Sequence, residues 1–468
     1  MKRSKRLFLL LLVLALVLGA TWAATLLNPE NEEEETSCTT IFTVDADDVT
    51  AISWDYSEQL SFVKEDGQWV YEEDPDFPLD ESYLEAMLDS VKEIQSSRTI
   101  EAVEDWDQYT LEVPICEITV TAGDDTQTIR IGEETALGGE RYLSIGDGNA
   151  YLVDAQILDA FSYGLYDVLA YESIPSMSEV TAMEHLSKDS YRIDLKENSG
   201  LAYTDDYVWF IGETPLDTEL TQTLMRYVTN LSWSECVSYH AEDLSKYGLE
   251  DPAAAVTMHY LETVKAATNE TDDDGNTVYE TRQDAKTFTL EIGAKADSGY
   301  YARIQDSFMV YTISDGIAEA LLYTTEQELL PDEVLLMDWE EVTSMDITLD
   351  GETYQITKDT KTVSDDEGNE TEQTVYLLKG KEVDAEDITD ALDDLDSSGY
   401  ATGLTPERGE EIRFVFHRDH ETFPEVELAF YQYNSASCMV TLNGAATVFT
   451  DRQSVVDLVE AVNALVLG

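Results

Sequence analysis

Four kinds of residue in this 468-residue chain could do chemistry: five histidines, four cysteines, seven tryptophans and a large excess of carboxylates. His417 and His420 flank Arg418 and Asp419 at a strand end. A spacing of three on a strand sends two rings to opposite faces unless a turn intervenes, so this pair reads as a solvated hairpin tip rather than two ligands of a metal. His185, His240 and His259 stand apart, and no H-E-x-x-H occurs. Cys38, Cys116, Cys236 and Cys438 form no C-x-x-C pair, which argues against zinc clusters and redox motifs. The last three lie in or beside apolar stretches and read as buried thiols.

Calcium is the natural ion for so many carboxylates. With Gly275 at position six of an EF-hand loop, Glu270, Asp272 and Asp274 fill positions one, three and five. Position twelve falls on Thr281, which lacks the bidentate carboxylate that such a loop needs. Gly368 places Val363 at position one. Phosphate-binding glycine motifs and the G-x-S-x-G nucleophile signature are missing from the sequence. Trp54, Trp69, Trp106, Trp209, Trp233 and Trp339 could line a glycan platform, but their places in strands and at helix ends favour the core. The expectation is a non-enzymatic chain with no catalytic, cofactor-binding or metal-binding residues.

Composition narrows the partners. Lys plus Arg number 27 against 98 Asp plus Glu, a net charge of −71. Affinity for a phosphate backbone comes largely from basic residues, so nucleic acid is excluded as a partner. A charged coat that keeps the surface soluble is the first account of the excess, and basic partners, metal cations or a salty exterior are the alternatives.

The elements that would position any site begin with an anchor. Lys2, Arg3, Lys5 and Arg6 precede an uncharged, mostly apolar stretch over residues 7–27. As a helix at about 1.5 Å per residue it spans about 31 Å, enough for a hydrocarbon core of about 30 Å. The basic flank stays cytoplasmic and the acidic run at 32–35 lies outside, so the body is expected on the extracytoplasmic side of a single span. A cleaved signal peptide is the competing reading. The poor small-x-small site at Thr21, Trp22 and Ala23 favours an uncleaved anchor.

The body repeats. Val49-Thr50-Ala51-Ile52 returns as Val180-Thr181-Ala182-Met183 and as Val342-Thr343-Ser344-Met345. Alternating strands follow each mark: 60–64 and 68–71, then 191–195 and 207–211, then 353–357 and 375–378. Asp80, Asp217 and Asp384 next open amphipathic helices. Their apolar stripes are Leu84, Met87, Leu88 and Val91; Leu220, Leu224, Tyr227, Val228 and Leu231; and Ile388, Leu392 and Leu395. Proline-ended turns at 109–114 and 247–252 lead into a second group of strands, and helices at 155–161, 315–322 and 451–465 close the copies. Residues 268–284 and 359–374 read as polar loop insertions with mobile tips. The expected class is α+β: three tandem repeats, each an antiparallel sheet with a packed helix and a closing helix, after the transmembrane helix. The expected divisions are a basic tip and anchor at 1–28, a linker at 29–48, and repeats at 49–170, 171–335 and 336–468.

Gly67-Gln68-Trp69-Val70, the turn from Tyr247 to Pro252, and the pairs Ile131-Gly132 and Ile292-Gly293 resemble the family called domain of unknown function 4340. The third copy departs, offering Leu404-Thr405-Pro406 and Phe430-Tyr431 at those places. The resemblance implies a membrane-tethered extracytoplasmic protein that accompanies the permease and ATPase subunits of an ABC-type export system of the gliding-motility kind. It supplies no catalytic residue. The expected function is therefore an accessory or scaffold protein. The alternative is an extracellular binding module for cell-wall polymer, peptide or cations.

Overall fold

The computed structural model describes residues 38–271, 277–364 and 370–467. The chain divides into two compact units, residues 1–172 and 173–468. The expected span at 7–27 lies outside the described residues, as do the loop tips 272–276 and 365–369. Among the described residues no helix is long and apolar enough to cross a membrane.

The first unit holds an eight-stranded sheet. Across it run Gln68–Tyr71, Gln59–Glu65, Val49–Asp55, Cys116–Ala122, Asp125–Glu134, Glu140–Ser144, Ala150–Asp154 and Arg98–Ile100. A two-stranded sheet, Thr39–Thr43 with Glu93–Ser96, lies beside it in sequence. Helix α1, Glu81–Val91, buries Leu84, Met87, Leu88 and Val91. Asp80 caps α1 by accepting a hydrogen bond from Ser82 N.

The second unit holds two nine-stranded sheets of one design. The opening strand, Glu179–Leu186 or Val342–Leu349, lies mid-sheet. On one side the next three strands follow in turn. On the other side come four strands laid down after the first helix, and the strand just after that helix takes the far edge. The eight-stranded sheet is ordered alike but one strand short on the first side, and its far edge is Arg98–Ile100, the second strand after α1. All pairings are antiparallel. Helices α2 (Thr218–Thr229) and α3 (Asp315–Tyr323) pack against one sheet, and α4 (Glu386–Asp393) and α5 (Arg452–Leu467) belong to the other. The strands alternate as one buried face demands: Val256, Met258 and Tyr260 are buried, while Ala255, Thr257 and His259 face partly outward.

The expected α+β class is corrected. Strand makes up 46% and helix 19%, so the fold is mainly antiparallel β with few helices. Two physical reasons account for the difference. The closing helix expected at 155–161 is a 3₁₀ segment, Ala155–Phe161. The expected polar insertions continue the strands: Ala254–Thr271 pairs with Thr277–Lys295, and Glu352–Ser364 with Glu370–Leu378. The stripe of α2 needs a smaller correction. Leu220 is exposed, and Thr221 and Met225 are buried in addition to Leu224 and Val228.

Within the second unit, Tyr203 joins its two sheets. Its ring packs edge-on against Phe423 at 4.9 Å, and its carbonyl accepts from Asp338 N (3.0 Å) and Arg418 Nη2 (2.8 Å). Asn443 Nδ2 donates to the Tyr203 hydroxyl (3.1 Å).

Candidate functional site

The turn from Tyr247 to Pro252 is structural. Gly248 ends a short 3₁₀ segment, Leu244–Tyr247, in the left-handed region at φ 67°. Leu244, Tyr247 and Leu249 then build a small cluster with Tyr301 and Val310. Tyr300 and Ala302 point into the main core, so this cluster lies on the opposite sheet face. Gly293 makes room for the turn: a β-carbon there would stand 2.2 Å from the Tyr247 carbonyl oxygen and 2.9 Å from Leu249 Cγ. In the first unit, Gly132 does the same beneath Tyr109, whose carbonyl oxygen would be 2.1 Å away. The I-G pairs and the tyrosine turns are thus two halves of one contact. A family model described as "Domain of unknown function (DUF4340)" matches residues 69–198 and 211–413. The chain belongs to this DUF4340 family. No curated protein and no solved structure matches it. Both matched segments cross from one sheet into the next, the first ending just beyond Tyr191–Leu195 and the second within Glu410–Arg418.

The DUF4340 fold scatters the residues that could do chemistry. Cys116, Cys236 and Cys438 are buried, each in a different sheet, and Cys38 is exposed. Burial pushes the Cys116 and Cys438 thiols up to about 12, with nearby carboxylates adding to the rise, so neither is a nucleophile at neutral pH. Trp54, Trp69 and Trp209 are buried. Trp339 donates its indole N–H to both Asp393 oxygens, at 3.0 and 2.9 Å. Burial raises the Asp393 carboxyl above its ordinary range.

His417 and His420 do not converge. His417 Nε2 faces Asp346 Oδ2 at 3.1 Å, whereas His420 Nδ1 accepts from the backbone N–H groups of Thr422 and Phe423. Among the described residues no three His, Cys, Asp or Glu gather as metal ligands. A relationship that spacing alone did not reveal is that His417 has a counterpart. His259 pairs across from Ala182 as His417 does from Ser344, and His259 Nε2 meets Glu184 Oε1 at 3.1 Å. Glu184 and Asp346 occupy the same place after the repeat mark, and that correspondence was the available signal.

Two surface features remain. The first is a pair of ribbons. Residues 262–271 and 277–284 pair only with each other, beyond the last rung that Glu179–Leu186 shares with Ala254–Thr271. At about 3.3 Å per residue this arm extends about 30 Å. Residues 359–364 and 370–375 form a shorter arm on the other sheet. Tyr279 lies exposed on the longer arm.

The second feature is a cavity of about 700 Å³ between α2 and the neighbouring strands, with Met177, Met225, Trp209 and Leu261 among its walls. Arg226 and Gln222 of α2 line it, as do Glu179 and Glu197. A cavity of about 640 Å³ occupies the related place beside α4. There Lys358 is held by the carbonyls of Trp339 (3.0 Å) and Glu340 (2.7 Å), and Glu382, Asp384 and Glu386 make the lining acidic.

Proposed function

We propose that this DUF4340 chain is a non-enzymatic accessory or scaffold protein, anchored in the cell membrane by its N-terminal segment with its body outside the cytoplasm. We further propose that it works with the permease and ATPase subunits of an ABC-type transport system. The projecting ribbons carry the scaffold reading. An isolated two-stranded ribbon in water is marginally stable. Its outer strands present unpaired N–H and C=O groups that can take another strand, which makes a partner's edge the natural company for it. The net charge of −71 supports basic partner segments and argues against nucleic acid. The basic flank and apolar stretch at 7–27 support the anchor, and the resemblance noted in the sequence supports the transporter.

The test is crosslinking in intact cells followed by mass spectrometry of what the tagged protein brings with it. The expected result is a multi-span permease and its ATPase, with crosslinks mapping to the ribbon residues 262–271 and 277–284. A variant whose ribbon is replaced by a two-residue turn should lose them while keeping its thermal midpoint. Recovery of no transporter subunit from the wild type would sink the transporter reading. Undiminished recovery with the variant would move the docking surface elsewhere.

A further inference from the structure

We infer that the cavity beside α2 is a binding site for a small anionic amphiphile, one with a carboxylate or phosphate head and a short apolar body. The cavity, about 700 Å³, is of the size that holds small organic ligands. Its cation is uncommitted. In a chain with 98 acidic residues, Arg226 has no carboxylate within ion-pair distance among the described residues, and its side chain donates only to Thr223 Oγ1, at 2.6 Å. A guanidinium is the side chain best shaped to take a carboxylate or phosphate by two parallel hydrogen bonds.

Trp209 lines the cavity and is 5% exposed, so its ring supplies a rigid apolar wall. Met177 and Met225 supply an adaptable apolar wall for the body of the ligand. Of the two carboxylates in the lining, Glu179 already accepts from Gln283 Nε2 at 2.6 Å, and Glu197 is exposed. Arg226 is therefore the cation on which an anionic head would seat. The related cavity beside α4 lacks such a cation, because Lys358 is occupied by backbone carbonyls among acidic side chains.

The experiment is isothermal titration of the full chain in lipid nanodiscs, with empty nanodiscs as the blank. The probes are hexanoate and hexyl phosphate, and hexyltrimethylammonium is the cationic control. Saturable binding of at least one anion is expected, weakened tenfold or more by Arg226→Gln and largely kept by Arg226→Lys. Comparison of hexanoate with hexyl phosphate tells which head the site prefers. No saturable anion binding, equal binding of the cation, or an Arg226→Gln affinity within twofold of wild type would each overturn the assignment. Because Arg226 is exposed on a helix and Gln is nearly as good a helix former, unchanged melting of that variant separates lost binding from lost fold.

Discussion

Gly293 sits directly beneath the carbonyl oxygen of Tyr247, with no room for a methyl group between them: an added β-carbon would come within 2.2 Å. The nearest atom it would meet is backbone, which cannot swing away as a flexible side chain can, and the Leu249 side chain closes in behind it. Gly293→Ala should therefore destabilise the second unit by about 3 kcal/mol, at the upper end of overpacking costs. Gly132→Ala should act alike in the first unit. Gly316→Ala is the control, because open space surrounds that position in the first turn of α3 and its φ is ordinary. It should be neutral or add up to about 1 kcal/mol. Urea melts of the three variants decide the matter, and equal midpoints for Gly293→Ala and wild type would remove the steric account of the I-G pair.

That contact also shows what could be read in advance. Both halves of it, the tyrosine turn and the I-G pair, stood out as motifs, yet nothing in the sequence placed one under the other. Strands with one buried face were legible because their side chains alternate: Gln68–Tyr71 and Tyr191–Leu195 have the expected bounds. The caps Asp80 and Asp217 were legible for the same local reason. The ribbons were not. Both faces of residues 262–268 and 277–284 meet solvent, so the polar and apolar residues have no period to follow, and a strand there looks like a loop. Class suffered in consequence, since those residues count as strand. The pairs His259–Glu184 and His417–Asp346 depend on register between strands over 70 residues apart, which no local pattern records.

Arg418 and Glu341 make a second test. The Arg418 side chain is 1% exposed, bonded to Glu341 and to the Tyr203 carbonyl, and its Nε and Nη1 have no partner. Removing Glu341 strands a buried guanidinium, and breaking such pairs costs about 3 kcal/mol or more. Arg418→Met removes the desolvated charge and keeps the volume, so Glu341→Ala should be the more damaging change. The double variant should recover part of the loss. Thermal melts arranged as a double-mutant cycle read this out, and additivity of the two losses would show that the pair is not coupled.

Acid titration should separate two carboxylates of opposite sign. Glu328 accepts from Thr325 N and from the Thr325 hydroxyl, which hold its carboxyl below the ordinary range. Its folded-state pKa is depressed, so its contribution is present above the unfolded value of about 4.3 and disappears as pH falls through the lower folded value. Burial raises Asp393, so its proton is bound more tightly in the folded state. Stability then declines as pH rises from the unfolded value of about 3.9 through the raised folded value, and the penalty is complete at neutral pH. Glu328→Gln should shrink the loss of stability on acidification, and Asp393→Asn should gain on wild type as pH goes from 4 to 7. Midpoints measured from about pH 7 down to about pH 2 that stay parallel to wild type for both variants would contradict the assignment.

The ribbons give the last prediction, which needs no partner. Amides at 262–268 and 278–284 hydrogen-bond within a two-stranded arm, whereas those at 254–260 and 287–292 lie in a sheet with further strands on both sides. Local opening should therefore cost much less in the arm, because few buried apolar contacts resist it. In hydrogen exchange followed by mass spectrometry, peptides from the arm should exchange orders of magnitude faster than those from the sheet, although one continuous strand joins them. A partner that adds a strand to the arm would slow the first set and leave the second unchanged, so the measurement also reports docking. Equal protection along the whole of Ala254–Thr271 in the isolated protein would mean that something else already covers the arm, and the scaffold reading would lose its supporting observation.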